Sequence, residues 1–502
     1  MKWNNKYAGI LLLCIVAFAF VAGDGIRILQ YPPRSFHTFR QSDCLAYTKT
    51  YYQHNTGFFS PACYNLLGKD GRVVSEFPVL YYLSAKLCQL FGFQYWIIRG
   101  LTVLCYLAGL YYLFLCVRMW IKRTIPALFP VVILATSPFY FYYAVNFLPN
   151  VPAISFSFIG LYYLLRYQET FTRRYLLPAT TFIVLATLLK PTDGGLIWMA
   201  YIGVMAISYS KKKVDTQQIL LLIVSSVIVA AGIVSWYLFV KNYNNTYGNN
   251  INLQGVYPIW DMTWNDIRLT FTERIMGLWR DSFQHLVLLL FLCGCMVVYI
   301  VKWRSIDPFL RTFTLMILLG SVVYTILWYK AYGDHDYYQL ILVIPAVFVV
   351  TAALSYYSDS ILLQTNKKSQ YATDIVLMAL MIMSVYHNQS VQIDRYSDKN
   401  SSWYNANVYE VEPYLRKIGI TKDDIVLSVP DGSPNISLVA FGNKGYASDL
   451  FGKNNYTAAY GKKHGAKYMI ITNREYIHDS NYIDYTTKLI GQYKDIYIFD
   501  MR

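Results

Sequence analysis

Residues 217–240 read QQILLLIVSSVIVAAGIVSWYLFV, without one charged side chain. A helix needs about 20 mostly apolar residues to cross a bilayer, so this run is long enough. Lys211-Lys212-Lys213 stands just before it. Runs of the same kind recur near 7–23, 97–117, 125–144, 151–167, 175–190, 194–210, 284–301, 312–330, 339–356 and 372–387. The pattern is that of a polytopic α-helical membrane protein with about eleven spans. Beyond residue 388 no such run occurs, and charge, Asn and Gly return.

Composition agrees. The 502 residues are 55% hydrophobic, 17% aromatic and 15% charged, against roughly 25% charged in an ordinary soluble protein. That excludes a disordered chain, a nucleic-acid-wrapping protein and an ordinary soluble enzyme. The 48 Tyr residues suit membrane–water interfaces, where a ring is buried and its hydroxyl stays wet.

The net charge of +15 is a topology signal. With the N-terminus in the cytoplasm, every inside segment is basic: Lys2 and Lys6; Arg118, Lys122 and Arg123; Arg166, Arg173 and Arg174; Lys211–Lys213; Lys302, Arg304 and Arg311; Lys367 and Lys368. The opposite loops are longer, more aromatic and more mixed in charge. An odd number of spans then puts the tail outside, in the periplasm of a bacterium. The first run reads as a retained helix rather than a cleaved signal peptide, because it exceeds a signal core and its retention gives the parity that the later charges support.

Two outer regions stand out. The first outer loop, 24–96, contains a short apolar stretch at 79–92 with Lys86 inside it, which reads as an interfacial or re-entrant helix. It also holds Cys44 and Cys63, either two free thiols or one disulfide. The tail, 395–502, reads as a small α/β domain, with strands at 424–429, 466–472 and 495–500, a helix at 456–463 and no phosphate-binding glycine loop. The division is a transmembrane catalytic domain over 1–390 and a periplasmic accessory domain over 395–502. A third outer region, 241–283, mixes Trp260, Trp264 and Trp279 with charged residues and reads as sugar contact or as an interfacial helical cover.

The spans are nearly free of ionisable residues. Charges near the bilayer centre usually mark an ion path, and a proton-coupled transporter places some there. Here they gather at the outer rim: Arg40, Asp43, Glu76, Lys190, Asp193, Lys330, Asp334, His335 and Asp336. A site at one interface suits chemistry on a lipid headgroup. A polytopic transporter or lipid flippase is the competing class, since a flippase needs no midplane charge.

FRQSD at 39–43, SEFPVLYYLSAKLCQLFG at 75–92, SPFYFYYAVNFLPNVPAISFSFIGLYYLLRY at 137–167, LLKPTDGG at 188–195 and GDHDYYQLILVIPA at 333–346 together resemble the polytopic GT-C glycosyltransferases. The similarity is to bacterial members related to dolichyl-phosphate-mannose protein mannosyltransferases and to the lipid A aminoarabinose transferase. It implies a GT-C-like fold in a bacterial inner membrane. It also implies transfer of a sugar, with inversion, from a polyprenyl-phosphate donor to a lipid, glycan or protein acceptor at the outer face. The family's acid of the first outer loop, its catalytic base, corresponds to Asp43.

The residue chemistry fits that expectation. In an inverting transfer one carboxylate takes the acceptor's hydroxyl proton, while the departing phosphate needs cations or donors. Asp43 and Glu76 are the catalytic candidates. Arg40, Asn150, Lys190, His335, Asp336, Tyr337 and Tyr338 are the substrate-binding candidates. Each has a plainer reading: Asp43 as a helix cap or a partner of Arg40, Glu76 as a cap of the interfacial helix, Lys190 as a snorkelling cation, His335 and Asp336 as caps of a span, and the Tyr pair as an aromatic belt. No HExxH or paired CxxC occurs, and no cofactor is indicated; a divalent cation on Asp43, Glu76 and Asp336 is the one metal reading left open. Two departures narrow the resemblance. Asn150 stands where many relatives have Asp, so hydrogen bonding is kept but charge is lost. Phe77 stands where aminoarabinose enzymes have Lys, which argues against that donor sugar.

Overall fold

The computed structural model describes residues 5–212, 214–249, 255–359, 366–397, 406–449 and 456–502; Lys2 and Lys213 of the basic segments lie outside them. The chain forms two compact units. One comprises Met1–Leu29, Arg99–Trp236 and Gly255–Ile393; the other comprises Gln30–Ile98, Tyr237–Gln254 and Asp394–Arg502.

The first unit is helical. Among the described residues five helices are long and apolar enough to cross a membrane: Tyr95–Trp120, Thr216–Thr246, Pro308–Tyr332, Asp336–Ser358 and Lys367–Arg395. Two bent pairs reach that length together, Thr124–Ala135 with Pro138–Ala144 and Trp264–Phe283 with Leu286–Val301. Asn5–Ala22, Asn150–Thr170, Leu176–Leu189 and Pro191–Ser210 cover the remaining apolar runs. The chain is an integral membrane protein.

The run at 125–144, continuous in hydropathy, is bent by 66°. Pro138 has no N–H for the preceding turn and pushes Ser137 out of helical geometry; Ser137 is extended, at φ −63° and ψ 119°. The break is buried, and side chains add to the backbone bonds that meet its polar groups. Gln284 Nε2 donates to the Ile133 carbonyl at 2.8 Å and Ser137 Oγ donates to the Phe283 carbonyl at 2.6 Å.

In the second unit the Thr38–His54 helix packs along the 13-residue Val79–Phe91 helix, the short apolar stretch of the first loop. The tail forms a five-stranded sheet: β1 Val426–Asp431, β2 Gly445–Asp449, β3 Tyr468–Ile471, β4 Leu489–Tyr493 and β5 Ile496–Asp500, in the order β2-β1-β3-β5-β4. β2, β1 and β3 are parallel, while β5 and β4 run antiparallel to their neighbours. Leu427, Val429, Met469, Ile471 and Phe499 form its core. Because β2 and β3 flank β1, the parallel part reverses its winding between β1 and β3. The crevice at the carboxyl ends of such strands is where open α/β sheets present their functional groups.

The segment 62–66 is bonded to this sheet. Gly445 N donates to the Tyr64 carbonyl at 3.0 Å, and Leu66 N donates to the Gly445 carbonyl at 2.9 Å. A Cβ at residue 445 would lie 1.9 Å from the Val426 carbonyl oxygen, so only glycine fits. Lys49 reinforces the contact. It is 8% exposed, pairs with Glu412 at 3.3 Å and donates to the Val439 carbonyl at 2.7 Å.

Candidate active site

Arg40 and Asp43 sit three residues apart on the Thr38–His54 helix, and so share a face. Arg40 Nη1 lies 3.8 Å from Asp43 Oδ2, and the same guanidinium is ion-paired with Glu76 Oε1. Glu76 also accepts from Ser75 Oγ at 2.6 Å. Asp43 Oδ1 accepts a hydrogen bond from Asn435 Nδ2 at 2.8 Å. Asn435 follows the carboxyl end of β1 and precedes the Ile436–Phe441 helix. Its Oδ1 accepts from both the backbone N–H and the side-chain amide of Asn65, at 3.1 and 3.0 Å. One loop thus supplies the acid, the cation and the second carboxylate, and the tail supplies an amide donor.

The capping readings do not hold for the carboxylates. Asp43 is inside its helix, and the Val79–Phe91 helix has no side-chain hydrogen bond at its N-cap, Pro78. Asp43 keeps 25% of its side chain exposed and Glu76 only 9%. Burial pushes the Asp43 carboxyl above the ordinary carboxylate range, opposed by the Arg40 charge and the Asn435 hydrogen bond. Burial makes the carboxylate a stronger base once ionised, and the Arg40 charge favours its ionised form, a combination suited to proton acceptance. Cys44 and Cys63 are both free and buried, and Cys44 Sγ accepts from Tyr81 OH at 3.2 Å. Phe77 packs edge-on against Phe58 with centroids 5.2 Å apart, in an aromatic cluster with Tyr82. At the start of the same helix a cavity of about 320 Å³ is lined by Tyr31, Arg34, Thr38, Tyr95, Tyr409 and Glu410.

The other unit holds a second cluster. Lys190 is the extended residue between the Leu176–Leu189 and Pro191–Ser210 helices. Its Nζ lies 3.8 Å from Asp193 Oδ2 and over the rings of Tyr337 and Tyr338, 5.3 and 4.7 Å from their centroids. Asn150 Nδ2 donates to Asp193 Oδ2 at 3.0 Å and to the Tyr337 carbonyl at 3.4 Å. Tyr143 OH donates to Asp336, and His335 stacks on Tyr337 with centroids 5.4 Å apart. His335 makes no side-chain cap to the Asp336–Leu342 turn. Lys330 is exposed in the adjoining turn. Gln339 is 1% exposed, and neither of its amide atoms has a hydrogen-bond partner among the described residues. The cluster offers one cation on an aromatic bed with hydroxyls and a histidine beside it, a set that can receive a phosphate.

The structure therefore groups Asp43, Glu76 and Arg40, and separately Asn150, Lys190, His335, Asp336, Tyr337 and Tyr338. Asn435, Asn65 and Tyr143 were not singled out by sequence; the run Pro430-Asp431-Gly432-Ser433-Pro434-Asn435 after a strand was the one available signal for the first. Among the described residues no three His, Cys, Asp or Glu side chains converge as a metal set, and both Asp43 and Glu76 face N–H donors.

Residues 75–236 match the family model described as dolichyl-phosphate-mannose-protein mannosyltransferase. No curated protein sequence matches the chain. In fold the chain is similar to ArnT from Cupriavidus metallidurans bound to undecaprenyl phosphate, with a TM-score of 0.64 and 10% identity over 98% of each chain. It is also similar to the arabinofuranosyltransferase AftD from Mycobacteria, with a TM-score of 0.58 and 11% identity, covering 100% of this chain and 40% of that one. The Archaeoglobus fulgidus oligosaccharyltransferase follows with a TM-score of 0.51 and 13% identity, covering 91% and 69%. Residues 75–236 thus resemble a mannosyltransferase family segment, and the chain as a whole has the GT-C-like fold of these membrane enzymes.

Proposed function

We propose that the protein transfers a sugar from a polyprenyl-phosphate donor to a cell-envelope acceptor at the outer face of a bacterial inner membrane, with inversion and with Asp43 as general base. The observation that carries this reading is the raised, partly exposed Asp43 carboxylate held between Arg40 and Asn435. The acceptor hydroxyl gives its proton to Asp43 as its oxygen bonds to the anomeric carbon, and the bond from that carbon to the lipid phosphate breaks. A phosphate is already a good leaving group, so a second carboxylic acid is less needed than in a glycosidase. Glu76 fixes the Arg40 guanidinium and so tunes the base.

Lys190, with His335, Tyr337 and Tyr338, is assigned to the lipid phosphate; an undecaprenyl phosphate bound to ArnT supports that class of donor. Asn150 supplies the N–H that Asp193 accepts, a bond that an ionised Asp there could not make, so the change from the family's acid preserves rather than breaks this cluster. The cavity lined by Tyr31, Tyr95, Tyr409, Arg34 and Glu410 supports a saccharide acceptor, with aromatic faces for ring carbons and charged groups for hydroxyls. In this reading residues 1–390 are the transmembrane catalytic domain, with a cytoplasmic N-terminus, and 395–502 form a periplasmic accessory domain.

The test supplies purified protein in vesicles with a panel of radiolabelled polyprenyl-phosphate sugars and cell-envelope extract. Transfer predicts label leaving the lipid. Label that crosses the vesicle membrane with its sugar–lipid bond intact would establish a flippase instead.

A further inference from the structure

We infer that Asn435 is a positioning residue for the Asp43 carboxylate: it holds Oδ1, so that Oδ2 is the oxygen presented to the acceptor hydroxyl. The inference rests on the base role proposed for Asp43 and adds the element that fixes it. Asn435 is 4% exposed. Its amide orientation follows from the network, because Oδ1 takes two N–H groups of Asn65 and leaves Nδ2 as the group turned to Asp43.

The loop that carries it is itself held from within. Asp431, fully buried at the end of β1, accepts from Ser433 N at 3.1 Å and from Ser437 N at 2.9 Å. Asn65 is tied to the same sheet through its neighbours Tyr64 and Leu66. The donor therefore stands on the rigid crevice at the carboxyl end of β1, where a short shift is resisted by several bonds. On the Asp43 side, Arg40 Nη1 lies 3.8 Å from Oδ2, a longer contact than that of Asn435 with Oδ1. In the transfer step the hydroxyl proton goes to Oδ2, the acceptor oxygen bonds to the anomeric carbon, and the lipid phosphate leaves with the electrons of the broken bond. The C-terminal region is thus part of the catalytic apparatus rather than a cover.

Asn435→Asp is the discriminating variant, because it keeps the oxygen that Asn65 needs and turns an acceptor, instead of a donor, toward Asp43. The charged and titratable groups around Asp43 are Arg40, Glu76 through Arg40, and the neutral Cys44, Cys63 and Tyr47. A carboxylate set against Asp43 disfavours its ionised form, so the acidic limb of the pH–rate profile moves to higher pH. In full-length protein, kcat at pH 7 is expected to fall roughly 10- to 100-fold with the donor KM unchanged. Asn435→Ala, uncharged, lowers kcat with a smaller displacement of the limb in the same direction. Wild-type kcat and an unmoved limb in both variants would overturn the inference, as would a loss of kcat in both with no displacement. Asp43→Asn is run alongside: if it is inactive while the Asn435 variants behave as wild type, only this inference fails, whereas full activity in Asp43→Asn removes the base role itself.

Discussion

Arg40→Gln isolates the electrostatic half of the site. At 3.8 Å from Asp43, the guanidinium attracts the carboxylate by about 4 kcal/mol at an effective dielectric near 20. Asp43 is one-quarter exposed, so solvent screening reduces this by roughly half, to about 2 kcal/mol. Arg40 favours the ionised acid, so its loss disfavours ionisation and moves the acidic limb of the kcat/KM profile to higher pH. Below that limb the rate falls about 30-fold, at about 1.4 kcal/mol per factor of ten; well above it the rate is little changed. The same substitution strands Glu76, 9% exposed, at a cost of about 3–5 kcal/mol. Arg40→Gln with Glu76→Gln removes that cost, and Arg40→Lys keeps the charge as a folding control. The assay is release of labelled sugar from the polyprenyl phosphate between pH 5 and 9, with thermal unfolding in detergent alongside. A folded double variant whose acidic limb coincides with that of the wild type would refute the reasoning.

Burial pushes Asp431 up to about 7, so the folded state binds a proton that the unfolded state has released; this group's stabilisation is lost as pH rises from about 4 to 7, by roughly 4 kcal/mol, and Asp431→Asn flattens that slope in pH-dependent thermal unfolding. Gly194→Ala would set a Cβ 2.5 Å from the Ala186 carbonyl carbon and 2.6 Å from the Thr187 nitrogen. The two helices must then separate, at about 1–3 kcal/mol, seen as a lower thermal midpoint. Cys44 and Cys63, 0% and 2% exposed, with the Cys63 thiol pushed up to about 12 by burial, stay unmodified by maleimide in the native protein and react fully after denaturation, as counted by intact-mass spectrometry.

Much of this architecture is legible in the sequence, because hydropathy reports burial in lipid directly. Each apolar run becomes a helix or a bent helix pair, and the short stretch at 79–92 becomes the Val79–Phe91 helix. The bend at 136–137 is less legible: Pro138 signals a break, but the partners that meet its polar groups inside the fold, Gln284, Phe283 and Ser384, lie far along the chain. In the tail, β1, β3 and β5 are apolar and buried and were expected, whereas β4, LIGQY, is only partly buried and β2 is a short edge strand, so neither carries a period. Arg40, Asp43 and Glu76 stood out because the spans are nearly free of charge and these rim charges fall in the FRQSD and SEFP motifs. Asn435 is neutral and lies 392 residues from Asp43, and nothing local shows that the first outer loop folds with the tail. That association rests on main-chain bonds at Gly445 and on Lys49, features that a sequence pattern does not display.

In the proposed reaction one carboxylate on the Thr38–His54 helix takes the proton of the attacking alcohol. Single-turnover cleavage of a labelled polyprenyl-phosphate sugar by Asp43→Asn, compared with wild type at equal donor occupancy, addresses it most directly. Normal binding of the lipid donor is expected, with a rate lower by about 10²-fold or more. Cleavage at the wild-type rate by a folded, donor-bound Asp43→Asn protein would contradict it.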